Sequence, residues 1–436
     1  MTSLVDAESV LAIDIGSLNT RALLFDVVDG QYHFISSATG PTTAGAPYRD
    51  VSEGVNIALT RLQEITGRTL VNNDALLILP TQADGSGIDR LALTSSAGAD
   101  LNILIMGLLS DVSLQSAQRL SGTTYGRVIE TIGLNDRRRP DEQVDAILQA
   151  QPDIVLIAGG TEKGATRSVN KLVDLVRMAC KDLPKESRPK VLYCGNSAIA
   201  KRVKEGLERE TVIVVAPNIR PSIDQEDLAP AGLLLAKVSA KLRTLQLGGL
   251  EGLAKLSSAP FLPSAYALGR MMRFSSGLSD LSKTTLGLDL GASATTLALA
   301  SSETVHLNVF RSLGMGGSLL SALQQIRLDD IARWVPFDIS EADIRDYLYQ
   351  KSLFPAMIPM TPETLAIEQA MARQILRFAT QRMLERWPET ELSFERIFIS
   401  GATLTQAPTA AQSLMLMLDG LQPVGVNVVM LDPYGL

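Results

Sequence analysis

The chain contains one short pattern twice, and this repeat restricts its fold more than any other feature. Residues 10–25 form an apolar run that carries Asp14, then a glycine and small or hydroxyl residues, then a second apolar run. Residues 285–299 repeat this order around Asp289. Each copy is typical of a β-hairpin with a tight turn that depends on glycine. One such turn is common by chance, but two copies about half a chain apart indicate an internal duplication.

The two turns also predict a chemistry. A turn of this kind brings backbone N–H groups and short hydroxyls against a phosphate, and a carboxylate at the strand end can hold a hydrated Mg²⁺. We therefore predict that ATP or ADP binds with Mg²⁺ between the halves of the chain, with Asp14 and Asp289 as catalytic and metal-orienting carboxylates. The predicted phosphate contacts are Gly16, Ser17, Asn19, Thr20, Gly291, Ala292 and Ser293.

The repeat is expected to extend beyond the hairpins. Residues 152–161 and 395–404 each have the pattern of a buried strand that runs into a glycine-containing loop, and residues 211–217 and 426–433 form a further matching pair. Strand and helix patterns alternate throughout, which favours an α/β architecture. This order resembles the superfamily of ATPases that contains actin, hexokinase and the heat-shock chaperones, in which two related domains close on ATP from opposite sides.

The superfamily resemblance implies two duplicated ribonuclease-H-like (actin-like ATPase) domains that flank a nucleotide cleft. Its interdomain helix corresponds to the apolar residues 228–238, so we expect domains at 1–240 and 241–436. The superfamily would add a further crossing helix after residue 436, so the second domain is expected to be short at this end. The resemblance also implies nucleotide contacts from Gly159, Gly160, Thr161, Gly401 and Ala402.

A narrower resemblance rests on four segments that occur in a fixed order. Residues 95–108, 152–161, 191–196 and 216–221 are similar to the glutamate-mutase reactivating family called MutL, which is unrelated to the mismatch-repair protein of that name. The resemblance covers nearly the whole chain. It implies an ATP-binding protein that helps an adenosylcobalamin-dependent mutase, or another protein partner, to exchange a damaged cofactor.

The chain departs from the family pattern where chemistry would be done. The family's second hairpin usually reads Asp-Ile-Gly-Gly-Ala-Thr-Thr-Asp, whereas here Ala292 takes the place of the second glycine and Thr296 that of the final aspartate. Ala402 replaces the second glycine of the adenosine loop, and the acidic stretch after the hairpin is reduced to residues 311–317. Because phosphoryl transfer depends on positioned metal and water, we expect nucleotide binding with slow or absent hydrolysis.

Composition argues against several other classes of protein. Acidic residues outnumber basic ones by 47 to 40, and the net charge of −7 argues against nucleic acid as the main partner. The only cysteines, Cys180 and Cys194, form no Cys-x-x-Cys and indicate neither a disulfide framework nor an iron–sulfur site. With His33 and His306 as the only histidines, zinc sites and a Ser-His-Asp hydrolase are not expected.

The sequence also carries a prediction about location. The first residues are polar and acidic and lack the basic and apolar regions of a signal peptide. No apolar run approaches the roughly 20 residues of a membrane span. We therefore predict a cytoplasmic protein without a membrane span, and its oligomeric state stays open.

Three classes of function remain open. The first is an ATP-dependent reactivating chaperone, which the order of the MutL-like segments favours. The second is a non-hydrolysing scaffold of the actin or pilus-assembly kind, which Ala292, Thr296 and Ala402 favour. The third is a small-molecule kinase, which needs a carboxylate near the acceptor hydroxyl, and Asp100 is a candidate by position only.

Overall fold

The computed structural model describes residues 8–162, 164–278 and 284–435. Contacts group the chain into two compact units. Unit 1 comprises Met1–Gly98 and Ala240–Leu436, and unit 2 comprises Ala99–Ser239. These units are defined by contacts, whereas the expected domains at 1–240 and 241–436 are defined by the repeat. The expected domains therefore stay a prediction.

The described residues form strands and helices along the whole chain. The strands are β1 (Val10–Ile15), β2 (Asn19–Val28), β3 (Gln31–Pro41), β4 (Arg90–Ser95), β5 (Leu101–Met106), β6 (Gly126–Ile132), β7 (Ile154–Ile157), β8 (Lys190–Tyr193), β9 (Ile213–Val215), β10 (Leu262–Pro263), β11 (Thr285–Leu290), β12 (Thr295–Ala300), β13 (Val305–Phe310), β14 (Arg396–Ser400) and β15 (Val428–Leu431). The helices are α1 (Ser52–Thr66), α2 (Gln115–Ser121), α3 (Pro140–Ala150), α4 (Arg167–Asp182), α5 (Ala200–Leu207), α6 (Ala229–Gln246), α7 (Leu250–Leu256), α8 (Ser264–Gly277), α9 (Leu319–Leu323), α10 (Leu328–Ala332), α11 (Glu341–Leu353), α12 (Pro362–Arg386), α13 (Ala402–Thr405) and α14 (Ala410–Leu421).

Unit 1 contains two sheets with the same topology. The first has the order β3-β2-β1-β4-β10 and the second the order β13-β12-β11-β14-β15. In each sheet the first three strands pair antiparallel and the last two join in parallel. Each five-stranded sheet therefore begins in the sequence with a β-hairpin, and the two sheets are equivalent. The predicted α/β fold with duplicated ribonuclease-H-like sheets is confirmed.

The prediction of the repeat beyond the hairpins was wrong in the first half. Residues 152–161 and 211–217 contribute β7 and β9, which pair within the sheet of unit 2. The first-sheet equivalents of β14 and β15 are β4 and β10. A short apolar strand followed by a glycine loop has the same pattern in any parallel sheet that is buried on both faces, so sequence pattern could not distinguish them.

Unit 2 is built around a single parallel sheet. Its order is β6-β5-β7-β8-β9, and every pairing is parallel. This is a doubly wound arrangement: β6 lies on one side of β5, and β7, β8 and β9 follow on the other side. Both cysteines are buried in this unit as free thiols.

Burial in unit 1 follows the expected periodicities. In β1, Leu11, Ile13 and Ile15 are buried on one face, so strand alternation places Asp14 on the other. In the second half, Ile367 on α12 lies in the core, as the helical spacing of this stretch predicts, together with Met371 and Ile375. None of the helices in the described ranges is long and apolar enough to cross a membrane.

Candidate functional site

The first hairpin places a row of side chains across the first sheet. Asp14 on β1 lies opposite Arg21 on β2 and Thr94 on β4. Thr94 in turn lies opposite Leu262 on β10. Residues in register on neighbouring strands point to the same face. Arg21, Asp14, Thr94 and Leu262 therefore form one row near the carboxyl ends of β1 and β4.

Two hydroxyls hold the carboxylate of Asp14. Thr94 Oγ1 donates to Asp14 Oδ1 at 2.7 Å, and Ser264 Oγ donates to the same oxygen at 2.6 Å. Ser264 is the first residue of α8, so the positive end of that helix lies beside the carboxylate. Both bonds are made to the same oxygen, Oδ1, and they fix the orientation of the carboxylate.

The second hairpin forms the equivalent row in the second sheet. Asp289 on β11 lies opposite Thr296 on β12 and Ser400 on β14. Asp432 follows the last residue of β15, one position beyond the pair of Ile399 with Leu431. Its N–H donates to Ile399 O at 2.8 Å, which continues the strand pairing. The second row is therefore completed by Asp432.

The two rows differ at two of their four positions. Asp14 corresponds to Asp289, and the hydroxyl of Thr94 corresponds to that of Ser400. In contrast, the cation Arg21 corresponds to Thr296, whose side chain is 1 % exposed and whose Oγ1 has no hydrogen-bond partner among the described residues. The apolar Leu262 corresponds to Asp432. The two rows are thus asymmetric, with the guanidinium of Arg21 in the first row and the additional carboxylate of Asp432 in the second.

The charged groups of the two rows act on one another. Burial raises the pKa of Asp289 to about 6, the Arg21 guanidinium opposes this rise, and Asp14 and Asp432 add to it. The two hairpin carboxylates therefore lie within one electrostatic cluster. Three carboxylates with a single guanidinium leave an excess of negative charge, which favours a divalent cation.

In both turns the N–H of the glycine closes the turn, and the glycine leaves no room for a side chain. Gly16 N–H donates to Asn19 O at 2.9 Å, and Gly291 N–H donates to Ala294 O at the same distance. A Cβ on Gly16 would lie 2.7 Å from Asn19 O, and one on Gly291 would lie 3.0 Å from Ala294 O. The two turns are geometrically equivalent. Neither accepts a side chain at this position without a shift of the backbone.

The neighbouring turn residues lie in different surroundings. Ser17 is half-buried and Asn19 is exposed, so both are accessible at the end of the first hairpin. Thr20 pairs with Ile15 on the opposite face from Asp14 and is fully buried, with its Oγ1 3.4 Å from Thr42 Oγ1. Its predicted contact with phosphate stays a prediction.

A short segment after β13 packs on the second turn. Met315 N–H donates to Gly291 O at 3.0 Å, and Gly316 N–H donates to Ala292 O at 2.8 Å. Arg311 Nη1 donates to Ser293 Oγ at 3.2 Å. Residues 311–317, in which the family's acidic stretch is reduced, therefore supply backbone support and a cation to this turn.

The remaining predicted contacts fall in two places. Gly401 follows β14 with φ of +99°, and a Cβ there would overlap Leu290 O, so only glycine fits beside the Asp289 row. Ala402 is exposed at the start of α13. Residues 159–161 and Asp100 belong to unit 2. The nucleotide contacts predicted for residues 159–161 stay a prediction.

Sequence reasoning missed five polar residues of the site. Four of them lie in the rows, namely Arg21, Thr94, Ser400 and Asp432, and the fifth is Ser264 beside the first row. Arg21 could have been found, because a turn closed between residues 16 and 19 pairs residue 14 with residue 21. The other four come from distant parts of the chain, and no local pattern marks them.

The residues of the two rows fit Mg²⁺ better than a metal whose ligands all come from protein side chains. The described residues contain no group of three or more His, Cys, Asp or Glu side chains that could hold a metal ion. Mg²⁺ usually keeps several waters and binds through one or two carboxylates together with substrate phosphates. Asp14 and Asp289 supply a donor set of this second kind.

Two equivalent ribonuclease-H-like sheets, each with an Asp-x-Gly hairpin, define a protein of the actin-like ATPase fold. The family model described as MutL protein matches residues 10–436. The chain therefore belongs to the MutL family.

Similarity to individual proteins is distant. Protein MutL of Clostridium tetanomorphum is 21% identical over 400 residues, which cover 86% of this chain and 78% of that protein. The structure of a diol dehydratase-reactivating factor in nucleotide-free form is 11% identical, with a TM-score of 0.32 and coverage of 91% of this chain and 92% of the other. Ethanolamine utilization protein EutJ from Carboxydothermus hydrogenoformans is 7% identical, with a TM-score of 0.32 and coverage of 99% and 87%.

Proposed function

We propose that this protein binds ATP or ADP with Mg²⁺ and acts in the cytoplasm as a reactivating chaperone of an adenosylcobalamin-dependent mutase. The observation that supports nucleotide binding most directly is the pair of geometrically equivalent turns, each closed by a glycine N–H just after an aspartate near the end of a strand. Membership of the MutL family supports the chaperone role. The nucleotide would be shared by two donor-rich turns.

Each part of the site has a role in this proposal. The backbone N–H groups of residues 17–19 and of residues 292 and 293 bind phosphate oxygens, whereas those of Gly16 and Gly291 close the turns. Arg21 neutralises phosphate charge beside the first turn. Asp14 and Asp289 would hold hydrated Mg²⁺, and the metal would neutralise charge on the phosphates. Thr94 and Ser264 hold the Asp14 carboxylate in place through its Oδ1.

The same rows support slow or absent hydrolysis. Hydrolysis needs a group that orients or deprotonates the attacking water. Leu262 offers no such group in the first row, and Thr296 replaces a carboxylate in the second. We propose that the bound nucleotide mainly holds the site closed. These two positions equally favour the second candidate, a non-hydrolysing actin-like scaffold.

Calorimetry with ADP and ATP in the presence of Mg²⁺ tests the binding proposal. Asp14→Asn is expected to weaken metal-dependent binding by about tenfold or more, since it removes a charged metal-orienting group. Asp84→Asn, in an exposed loop of the same unit, is the matched control and should bind as the parent does. No heat and no thermal shift at millimolar nucleotide would refute the proposal.

Two further measurements separate the candidate functions. Phosphate release at saturating ATP should be far below about 1 per second, the lower end of the usual enzyme range, and faster turnover would contradict the slow-hydrolysis proposal. Thr296→Asp combined with Ala292→Gly is expected to raise that rate. Exchange of damaged cobalamin from a purified mutase that depends on ATP and on this protein supports the chaperone. Binding without exchange favours the scaffold.

A further inference from the structure

The segment after β15 makes a sharp turn on the carboxylate that completes the second row. Asp432 Oδ1 accepts hydrogen bonds from Tyr434 N–H at 3.2 Å and from Gly435 N–H at 2.7 Å. Asp432 Oδ1 thus accepts hydrogen bonds from two successive backbone N–H groups, those of residues 434 and 435. We call residues 432–435 the clasp. Its direction is set by Asp432, the residue that completes the second row.

The clasp leads from the edge strand of the second sheet to the first sheet of the same unit. The ring of Tyr434 lies on that of Phe34 in β3, with 5.3 Å between centroids and 42° between planes. Phe34 contacts Phe25 at 5.7 Å across the β2 and β3 pairing. Phe34 on β3 and Phe25 on β2 therefore form an apolar surface on the first sheet, and the clasp packs on it through Tyr434.

The last clasp residue lies against the cation of the first row. Gly435 has φ of +73°, and a Cβ there would overlap Arg21 Nη1 and approach Arg21 Cζ to 3.0 Å. The guanidinium therefore packs directly on the backbone of the clasp. A side chain at this position would displace the guanidinium, and the positive φ also favours glycine.

We infer that the clasp positions Arg21 for the phosphates of the bound nucleotide. Tyr434 anchors the clasp on Phe34, the Asp432 turn sets its path, and Gly435 supports the guanidinium beside Asp14. An arginine side chain that is free in solution has several rotatable bonds, and packing one face of its planar group limits the directions in which it donates. This inference rests on the proposed function, because it assigns a role to a group of that site.

The inference predicts an effect on phosphate recognition alone. Arg21 can contact the phosphates of ADP, whereas adenosine has none. A clasp that only stabilises the fold would affect both ligands equally. The ratio of the two dissociation constants therefore separates a positioning role from a structural one.

The test compares ADP with adenosine in the parent and three variants, in the presence of Mg²⁺. Tyr434→Ala should weaken ADP binding by about tenfold, as expected for loss of a charge-assisted hydrogen bond, and leave adenosine binding unchanged. Tyr434→Phe keeps the ring and should bind both ligands as the parent does. Arg21→Gln should match Tyr434→Ala, and the double variant should lose little more, because the two residues act through one contact.

The outcomes distinguish failure of the clasp inference from failure of the proposed function. An unchanged ratio in Tyr434→Ala, or equal losses for both ligands, overturns the clasp inference and leaves the nucleotide site standing. Additive losses in the double variant also overturn it. A parent that binds neither ligand refutes the proposed function, and the clasp inference fails with it.

Discussion

Asp289 gives a direct test of the electrostatics of the site, because replacing it should stabilise the metal-free protein. Its pKa rises from 3.8 to about 6, chiefly through burial. The native state therefore binds the proton more tightly than the unfolded chain does, and stability falls as pH rises from about 4 through 6. Above pH 6 the full cost is present, and about two pKa units correspond to about 3 kcal/mol.

Asp289→Asn removes this cost while keeping the shape of the side chain. We expect the variant to be more stable than the parent by about 3 kcal/mol at pH 7.5 and by only about 1 kcal/mol at pH 4.5. The measurement is urea unfolding of both proteins in chelator at each pH. A variant that is less stable than the parent at pH 7.5, or an advantage that does not change with pH, would contradict the reasoning.

Asp89 provides a control, because its pKa is shifted in the opposite direction to that of Asp289. It is a half-buried carboxylate of the same unit, and although burial alone would raise its pKa, hydrogen bonds from Ser9 and Thr81 lower it. Its stabilising contribution is present at neutral pH and is lost as pH falls through its depressed pKa. Asp89→Asn should therefore destabilise the protein at pH 7.5 and have less effect at acid pH.

Three further predictions concern buried positions in the two units. Lys351 Nζ lies 2.9 Å from Glu368 Oε1 in a buried ion pair, so Lys351→Met should cost about 3–5 kcal/mol in urea unfolding, and adding Glu368→Gln should recover part of it. Gly401→Ala should lower stability by at least about 1–3 kcal/mol in the same assay, because the new Cβ would overlap Leu290 O at a positive φ. Burial raises the pKa of the Cys194 thiol to about 12, so a thiol reagent at pH 8 should modify it only after unfolding, and rapid reaction of the native protein would contradict this.

The sequence contained enough information for the hairpins and their carboxylates. Asp14 and Asp289 each stand in a local pattern whose turn is closed by a single glycine amide, so no distant contact is needed to predict it. The buried face of α12 was predictable for the same reason, since its apolar spacing is local. Local patterns with one structural solution can be predicted from one sequence.

The fourth and fifth strands of the first sheet were beyond such prediction. Unit 2 is inserted between β4 and β10, and its own strands have the apolar pattern that the repeat required. Residues 152–161 matched residues 395–404 in pattern but not in pairing. Only their pairing partners distinguish them, and strand pairing depends on contacts between distant segments.

The asymmetry of the two rows connects the site to its proposed use. A site for rapid phosphoryl transfer needs groups that act on the transition state beyond those that bind the ground state. Here the first row offers a cation and a carboxylate held by hydroxyls, which suit the binding of a charged ground state. The additional acid of the second row, Asp432, accepts two amides of the clasp through one oxygen. These groups fit the proposal that a bound nucleotide serves this protein as a structural clamp and is not rapidly hydrolysed.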